Sequence, residues 1–187
     1  TLRHDKRNQA LLTAVADELA RGGVLLIDST QYIPDHLADE GVLTRTPPSP
    51  QVRADIDFAL PLVAQLGALD IGQSIAVKER EVIAVEAIEG TDAMIERAGR
   101  LCRMGGWTLI KTAGPHKDMR FDVPVVGVQT IEKLKANGAA CLVVEAGKVI
   151  LIDKPKVLEA AEKAGIVVVG VRLQEPHREG EAPAEPR

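Results

Sequence analysis

Aromatic residues are nearly missing from this chain of 187 residues: Tyr32, Phe58, Trp107 and Phe121 make up only 2%. The core must therefore be assembled from Val, Ile, Leu and Ala, and an aromatic stacking platform for single-stranded nucleic acid is excluded. Positive charge is also short. Lys and Arg total 23 against 27 Asp and Glu, a net charge of −4, the wrong sign for holding a polyphosphate chain by bulk charge. Nucleic acid is not an expected partner. Cysteine is limited to Cys102 and Cys141, too few for a disulfide framework and without zinc-ligand spacing, which fits a reducing, cytoplasmic compartment. No apolar run approaches the ~18–20 residues that a membrane span requires. The longest, Ile166 to Val171, suits a buried strand. The chain opens at Thr1 without a secretory signal pattern, so a start trimmed upstream is expected. The phosphate loop G-x-x-x-x-G-K-[ST], the dinucleotide fingerprint G-x-G-x-x-G, the elbow G-x-S-x-G and the zinc motif H-E-x-x-H are all missing.

What is present is globular: 45% apolar and 27% charged residues, in alternating helical and extended patterns. Leu12, Val15, Ala16 and Leu19 predict an amphipathic helix over Asp5–Arg21, stopped by Gly22-Gly23 and followed by a short strand at Val24–Ile27. A helical turn is expected over Pro34–Glu40, then a stiff connector, Thr44-Arg-Thr-Pro-Pro-Ser-Pro50, marks a domain boundary. A helix carrying Ile56, Leu60, Val63 and Ala64 ends at Gly67. Strands Ser74–Lys78 and Val82–Ala87 read as a hairpin around Glu79-Arg80. Gly90-Thr91 opens a helix with Met94, Ala98, Leu101 and Cys102 inward, with Thr91 as its N-cap, and Thr108–Thr112 is a strand. After 113–122, which lack helical periodicity, come a helix at Gln129–Asn137 and strands Cys141–Glu145 and Lys148–Ile152, a second hairpin around Ala146-Gly147. A helix at Pro155–Ala164 and a strand at Ile166–Val171 follow, and from Gln174 the Pro- and Glu-rich chain reads as a disordered tail. The fold class is α/β with a mixed sheet flanked by helices.

Two stretches carry candidate chemistry. In Lys111-Thr-Ala-Gly-Pro-His-Lys-Asp-Met-Arg-Phe-Asp-Val-Pro124 the glycine and prolines disfavour a helix. An extended segment would then place Asp118, Arg120 and Asp122 on one face. Carboxylates flanking a guanidinium suit a hard cation and a phosphate, although D-x-R-x-D alone is more often a solvated loop of weak ion pairs. The second stretch, Glu86-Ala-Ile-Glu-Gly-Thr-Asp92, leads from a strand into a helix start, whose free N–H groups attract anions. Glu86 and Glu145 sit oddly in apolar runs, and a carboxylate buried there is costly unless it is paired or binds metal. The residues thus point to a phosphorylated small ligand near Lys111 and Arg120, in a carboxylate-rich, Mg2+-compatible pocket. They do not choose between cleaving it and holding it.

Five strings in register, Gly41-Val-Leu-Thr-Arg45, Asp70-Ile-Gly-Gln73, Ala87-Ile-Glu-Gly-Thr-Asp-Ala-Met94, Asp118-Met-Arg-Phe-Asp-Val-Pro124 with Gly127, and Val144-Glu-Ala-Gly147, make the chain resemble the LpxI-type UDP-2,3-diacylglucosamine pyrophosphatases of lipid A biosynthesis. The resemblance runs from about Asp5 to Val171. It implies that residues 1–44 are a connector and the last helix and strand of an N-terminal domain, that 45–172 form the catalytic C-terminal domain, and that 173–187 are a tail. It further implies Mg2+-dependent attack of water on a UDP-linked diacyl sugar, giving UMP and 2,3-diacylglucosamine 1-phosphate. The roles it implies are catalytic for Asp122, Asp118, Arg120 and Lys111, and substrate-binding for Glu89, Gly90, Thr91, Asp92 and Arg45. Asp122, Asp118, Glu86 and Glu145 would ligate the metal. A departure is His116-Lys117, where the family more often has Gly-Gln. The expected setting is cytoplasmic with transient contact at the inner membrane face, with room for a homodimer. Alternatives are a nucleotide-sugar or lipid-phosphate binding module without turnover, and a structural role in which the glutamates pair across a dimer contact.

Overall fold

The computed structural model describes residues 8–114 and 117–173. The start of the expected first helix (Asp5–Arg7), His116, and the expected tail from Gln174 lie outside the described residues.

The described chain forms five helices, α1 (Asn8–Arg21), α2 (Pro50–Ala68), α3 (Gly90–Leu101), α4 (Val128–Ala136) and α5 (Lys154–Ala164). Its strands are β1 (Gly41–Val42), β2 (Ser74–Lys78), β3 (Glu81–Val85), β4 (Trp107–Lys111), β5 (Val125–Val126), β6 (Ala139–Glu145), β7 (Ile150–Leu151) and β8 (Val167–Val171). Six of them make one mixed sheet in the order β1-β8-β6-β4-β2-β3. Strands β4, β6 and β8 are parallel. β1 and β2 run antiparallel to their neighbours, and β2–β3 is the expected hairpin. Parallel neighbours need a crossover, and α4 and α5 supply those from β4 to β6 and from β6 to β8.

The local chemistry explains most boundaries. Ser49 accepts the Val52 N–H at 3.2 Å and Pro50 takes the first position of α2, a strong helix start. Gly165, at φ 71°, ends α5 as a left-handed cap. Strand alternation then splits the core across the sheet. Ile75, Val77, Ile110, Cys141 and Val143 pack with Ile56, Ala59 and Val63 of α2 on one face. Leu109, Leu142, Val144 and Val168 meet Met94, Ile95 and Ala98 of α3, with Ile131, Leu134 and Val157 of α4 and α5, on the other.

Four expectations are corrected. Val24–Ile27 forms no strand; its apolar side chains find no partner strand among the described residues, and Val24, Leu25 and Ile27 are exposed. The second hairpin is not made. After β6 the Lys148 and Val149 N–H groups both donate to the Glu145 carbonyl, coiling the chain away, so that β7 pairs in parallel with β5 in a small separate ladder. The inner stripe of α3 is Met94, Ile95 and Ala98, while Leu101 is exposed. The helical turn after Pro34 ends at His36, because Ala38 N–H donates to Val149 and the chain then enters β1. Glycine permits that last pairing: a Cβ on Gly170 would lie 1.7 Å from the Asp39 carbonyl oxygen, so any larger residue would push β1 off β8.

The register gathers polar residues at one end of the sheet. Ser74 faces Lys111, Lys111 faces Val144, and Glu145 faces Val171, while Glu86 follows directly on β3 and its N–H donates to Ser74. This is the carboxyl end of the parallel strands, where open α/β sheets place ligands.

Candidate active site

Lys111, the last residue of β4, is 6% exposed, and Glu86 is 5% exposed. Alternation along β4 turns Lys111 toward the same face as Leu109, the face covered by α3. There the Lys111 ammonium donates to Thr91 Oγ1 at 2.8 Å, and the Thr91 hydroxyl donates to Glu86 Oε1 at 2.9 Å. Thr91 is not the N-cap of α3, as expected from sequence; Glu89 occupies that position and Gly90 is the first helical residue. The Thr91 hydroxyl is taken up by Glu86 instead. Burial pushes the Lys111 pKa down, opposed by the charges of Glu86, Asp92 and Asp122 and reinforced by Lys117. Glu86 Oε2 and Ser74 Oγ are buried beside this chain of hydrogen bonds without a partner. Such atoms are rare enough in folded proteins to require an explanation.

Residues 118–122 form a turn, not the extended segment expected. The Phe121 and Asp122 N–H groups donate to the Asp118 carbonyl at 3.2 and 3.0 Å. Asp118 also accepts the Arg120 N–H at 3.0 Å through Oδ1, a local closure typical of aspartate. Asp118, Arg120 and Asp122 therefore do not share a face by strand alternation. The Arg120 Nε reaches both Asp118 oxygens at 2.9 and 3.0 Å, with Nη2 at 2.6 Å. The guanidinium stacks over Phe121, 5.6 Å from the ring centroid. This hydrogen-bonded guanidinium holds the Asp118 carboxyl below its ordinary pKa, burial opposing. Asp122 pairs with Lys117.

The other expected site residues divide. Asp92, on the first turn of α3, bridges to Lys133 at 2.5 Å and lies close enough to act on Lys111. Glu145 is 2% exposed; its Oε2 accepts the Ala113 N–H at 2.8 Å and its Oε1 meets Lys148 at 2.8 Å. Glu89 is occupied in closing the β3–α3 turn: it accepts the Ala87 N–H at 3.1 Å and pairs with Arg97, which also donates to the Val85 carbonyl. Its own backbone N–H and Arg97 lower its pKa. Arg45 is not brought to this site. Leu43 N–H donates to Val168 and Thr44 Oγ1 accepts from it, so antiparallel β1 carries Arg45 toward the opposite end of β8, where it lines a groove with Leu43, Leu158 and Glu162.

Beside the strand ends lies a cleft of ≈ 200 Å³ lined by Gly67, Asp70, Gly72, Gln73, Glu86 and Lys117, among others. Gly72 allows its wall to close: a Cβ there would sit 2.0 Å from the Glu86 carbonyl oxygen. Gln73 Oε1 is buried without a partner. The sequence offers Asp70-Ile-Gly-Gln73 only as one of the strings that carry the resemblance, and Lys117 only as part of a departure; the glycine ahead of a polar residue at the start of β2 is the available signal.

Among the described residues no three His, Cys, Asp or Glu side chains stand together as a metal site. Of the four carboxylates expected to ligate Mg2+, Asp118, Asp122 and Glu145 each face a cation, and only Glu86 keeps a buried free oxygen. This donor set does not fit a resident Mg2+ cage.

Comparison with known proteins bears on the family of the chain. Residues 39–169 match the LpxI C-terminal domain family. The UDP-2,3-diacylglucosamine pyrophosphatase LpxI of Caulobacter vibrioides is 38% identical over 178 residues, which cover 91% of this chain and 63% of that protein. The chain therefore spans less than two thirds of that relative's length. By the extent of the match to its C-terminal domain, the chain belongs to the LpxI family.

Proposed function

We propose that this chain carries the catalytic part of a UDP-2,3-diacylglucosamine pyrophosphatase, in which water cleaves the diphosphate to give UMP and 2,3-diacylglucosamine 1-phosphate. The observation that supports it is the gathering at the end of the sheet: Lys111 is tied through Thr91 to Glu86, and Glu86 and Lys117 line the adjoining cleft. A diphosphate placed there meets two ammonium groups, Lys111 and Lys117, which offset the charge that grows on the departing phosphate. Asp122 is the carboxylate for accepting the proton of the attacking water. Lys117 pairs with it until a phosphate competes for that ammonium. Arg120 is a further phosphate cation, and Asp118 fixes its guanidinium rather than touching the reaction. Mg2+ enters this reading as the counterion that the diphosphate brings with it, since Mg2+ typically keeps its waters and shares substrate phosphates.

The acyl chains of such a substrate would bring the protein to the cytoplasmic face of the inner membrane. No helix among the described residues is long and apolar enough to cross a membrane. Incubation with UDP-2,3-diacylglucosamine and Mg2+, followed by phosphorus NMR, should show UMP release. Asp122→Ala should slow it by about a hundred-fold or more, the usual weight of a positioned acid or base. An unchanged rate in that variant removes Asp122 from the chemistry. Tight binding of the substrate without UMP would instead make the chain a binding module.

A further inference from the structure

We infer that Thr91 and Glu86 are positioning residues, a hydrogen-bonded chain whose purpose is to fix the Lys111 ammonium at the end of β4 for a diphosphate ligand. This rests on the proposed function only in its choice of ligand.

A lysine ammonium at a surface samples many rotamers, and ordering it is costly. Here the cost is met by burial and by one oriented acceptor. A hydroxyl has one proton and two lone pairs. Glu86 Oε1 takes the Thr91 proton at 2.9 Å, which leaves the lone pairs of Thr91 Oγ1 for Lys111 at 2.8 Å. The direction of every hydrogen bond in the chain is thereby set, from ammonium through hydroxyl to carboxylate. The three residues come from the ends of two strands and the first turn of a helix, so the ammonium is tied to rigid elements and not to a loop. The Glu86 charge also opposes the lowering of the Lys111 pKa by burial. A carboxylate this deep without a full set of partners is costly, and Glu86 Oε2 has none among the described residues.

Calorimetric titration with inorganic pyrophosphate tests this without requiring turnover. Thr91→Val preserves shape and removes the hydroxyl; it should weaken pyrophosphate about ten-fold, as expected for losing a charge-assisted hydrogen bond. Thr91→Ser should stay within about two-fold, because it keeps the donor and acceptor. Lys111→Met, which removes the ammonium itself, should lose at least as much as Thr91→Val, and the double variant no more than Lys111→Met alone, since Thr91 acts only through Lys111. A packing role for Thr91 would give the reverse: Val tolerated, or losses that add. Should Thr91→Val fail to fold, Glu86→Gln reads the same coupling, and a loss of equal size with and without Lys111→Met overturns the inference. So does a failure of the unsubstituted protein to bind pyrophosphate. If the coupling is seen but no UMP is ever released, the proposed function falls and this inference stands.

Discussion

Two ionic clusters sit side by side at the end of the sheet, built from the same kinds of group in opposite surroundings. In the strand-end cluster Lys111 and Glu86 are 6% and 5% exposed and communicate through Thr91. In the neighbouring turn the Arg120 and Asp118 side chains are 32% and 21% exposed, and the Lys117 and Asp122 side chains are 22% and 39% exposed. Water screens the second pair of bridges and not the first. Removing one member of the buried chain leaves a stranded charge, whereas a half-exposed partner can turn to solvent or to a ligand. The difference teaches a division of labour: a rigid cationic anchor held by the fold, beside a turn whose ion pairs can open when a phosphate competes for their cations.

The severest way to break this arrangement is through the wall that the cleft shares with the strand-end cluster. Gly72→Ala would place a Cβ 2.0 Å from the Glu86 carbonyl oxygen, a backbone contact with no side chain to rotate away. The expected loss is about 3 kcal/mol, the upper part of the range for overpacking, read as a fall in the urea midpoint. Pyrophosphate affinity should fall with it, because Glu86 and hence Lys111 must shift. A full-strength midpoint would mean that the start of β2 gives way freely and does not pin the site.

Glu145→Leu is the next test. Its Oε2 accepts the buried Ala113 N–H at 2.8 Å, and an amide left there without an acceptor costs roughly 2 kcal/mol. Lys148, the other partner, is 38% exposed and can return to water. The loss should appear in thermal or urea unfolding. A neutral outcome would place Glu145 with the screened ion pairs despite its burial.

How much of this was legible in the sequence follows the same division. Long periodic helices and the β2–β3 hairpin were readable because their apolar spacing and turn residues act locally. Glu86 and Glu145 stood out as carboxylates in apolar runs, and the structure buries both. What failed depended on distant partners. Val24–Ile27 has strand composition but no strand beside it, and β1 is only the two residues Gly41–Val42, visible as a strand solely through Gly170. The Asp118–Asp122 segment was misread because prolines and a glycine around it excluded a long helix, and a single Asp-closed turn leaves no periodicity to detect. Arg45 could not be separated from the site by motif order alone, since only the antiparallel register of β1 sends it to the other end of the sheet.

The smallest expected effect sharpens the comparison from the exposed side. Arg120 lowers the Asp118 carboxyl below its model-compound value of 3.8, with burial opposing. A carboxyl depressed by folding binds fewer protons in the folded than in the unfolded chain. Its contribution is therefore present above the unfolded value and lost as pH falls through the folded one. Asp118→Asn removes the charge but keeps the oxygen that closes the turn. Relative to wild type it should be slightly less stable at about pH 7, by less than Glu145→Leu, and the difference should shrink as pH falls through the lowered folded value of Asp118. Urea unfolding of the two proteins across that range checks it. A penalty that stays constant with pH would assign Asp118 to turn packing, and one as large as that of Glu145→Leu would show the turn to be as firmly built as the strand ends, ending the distinction between an anchor and an adjustable rim.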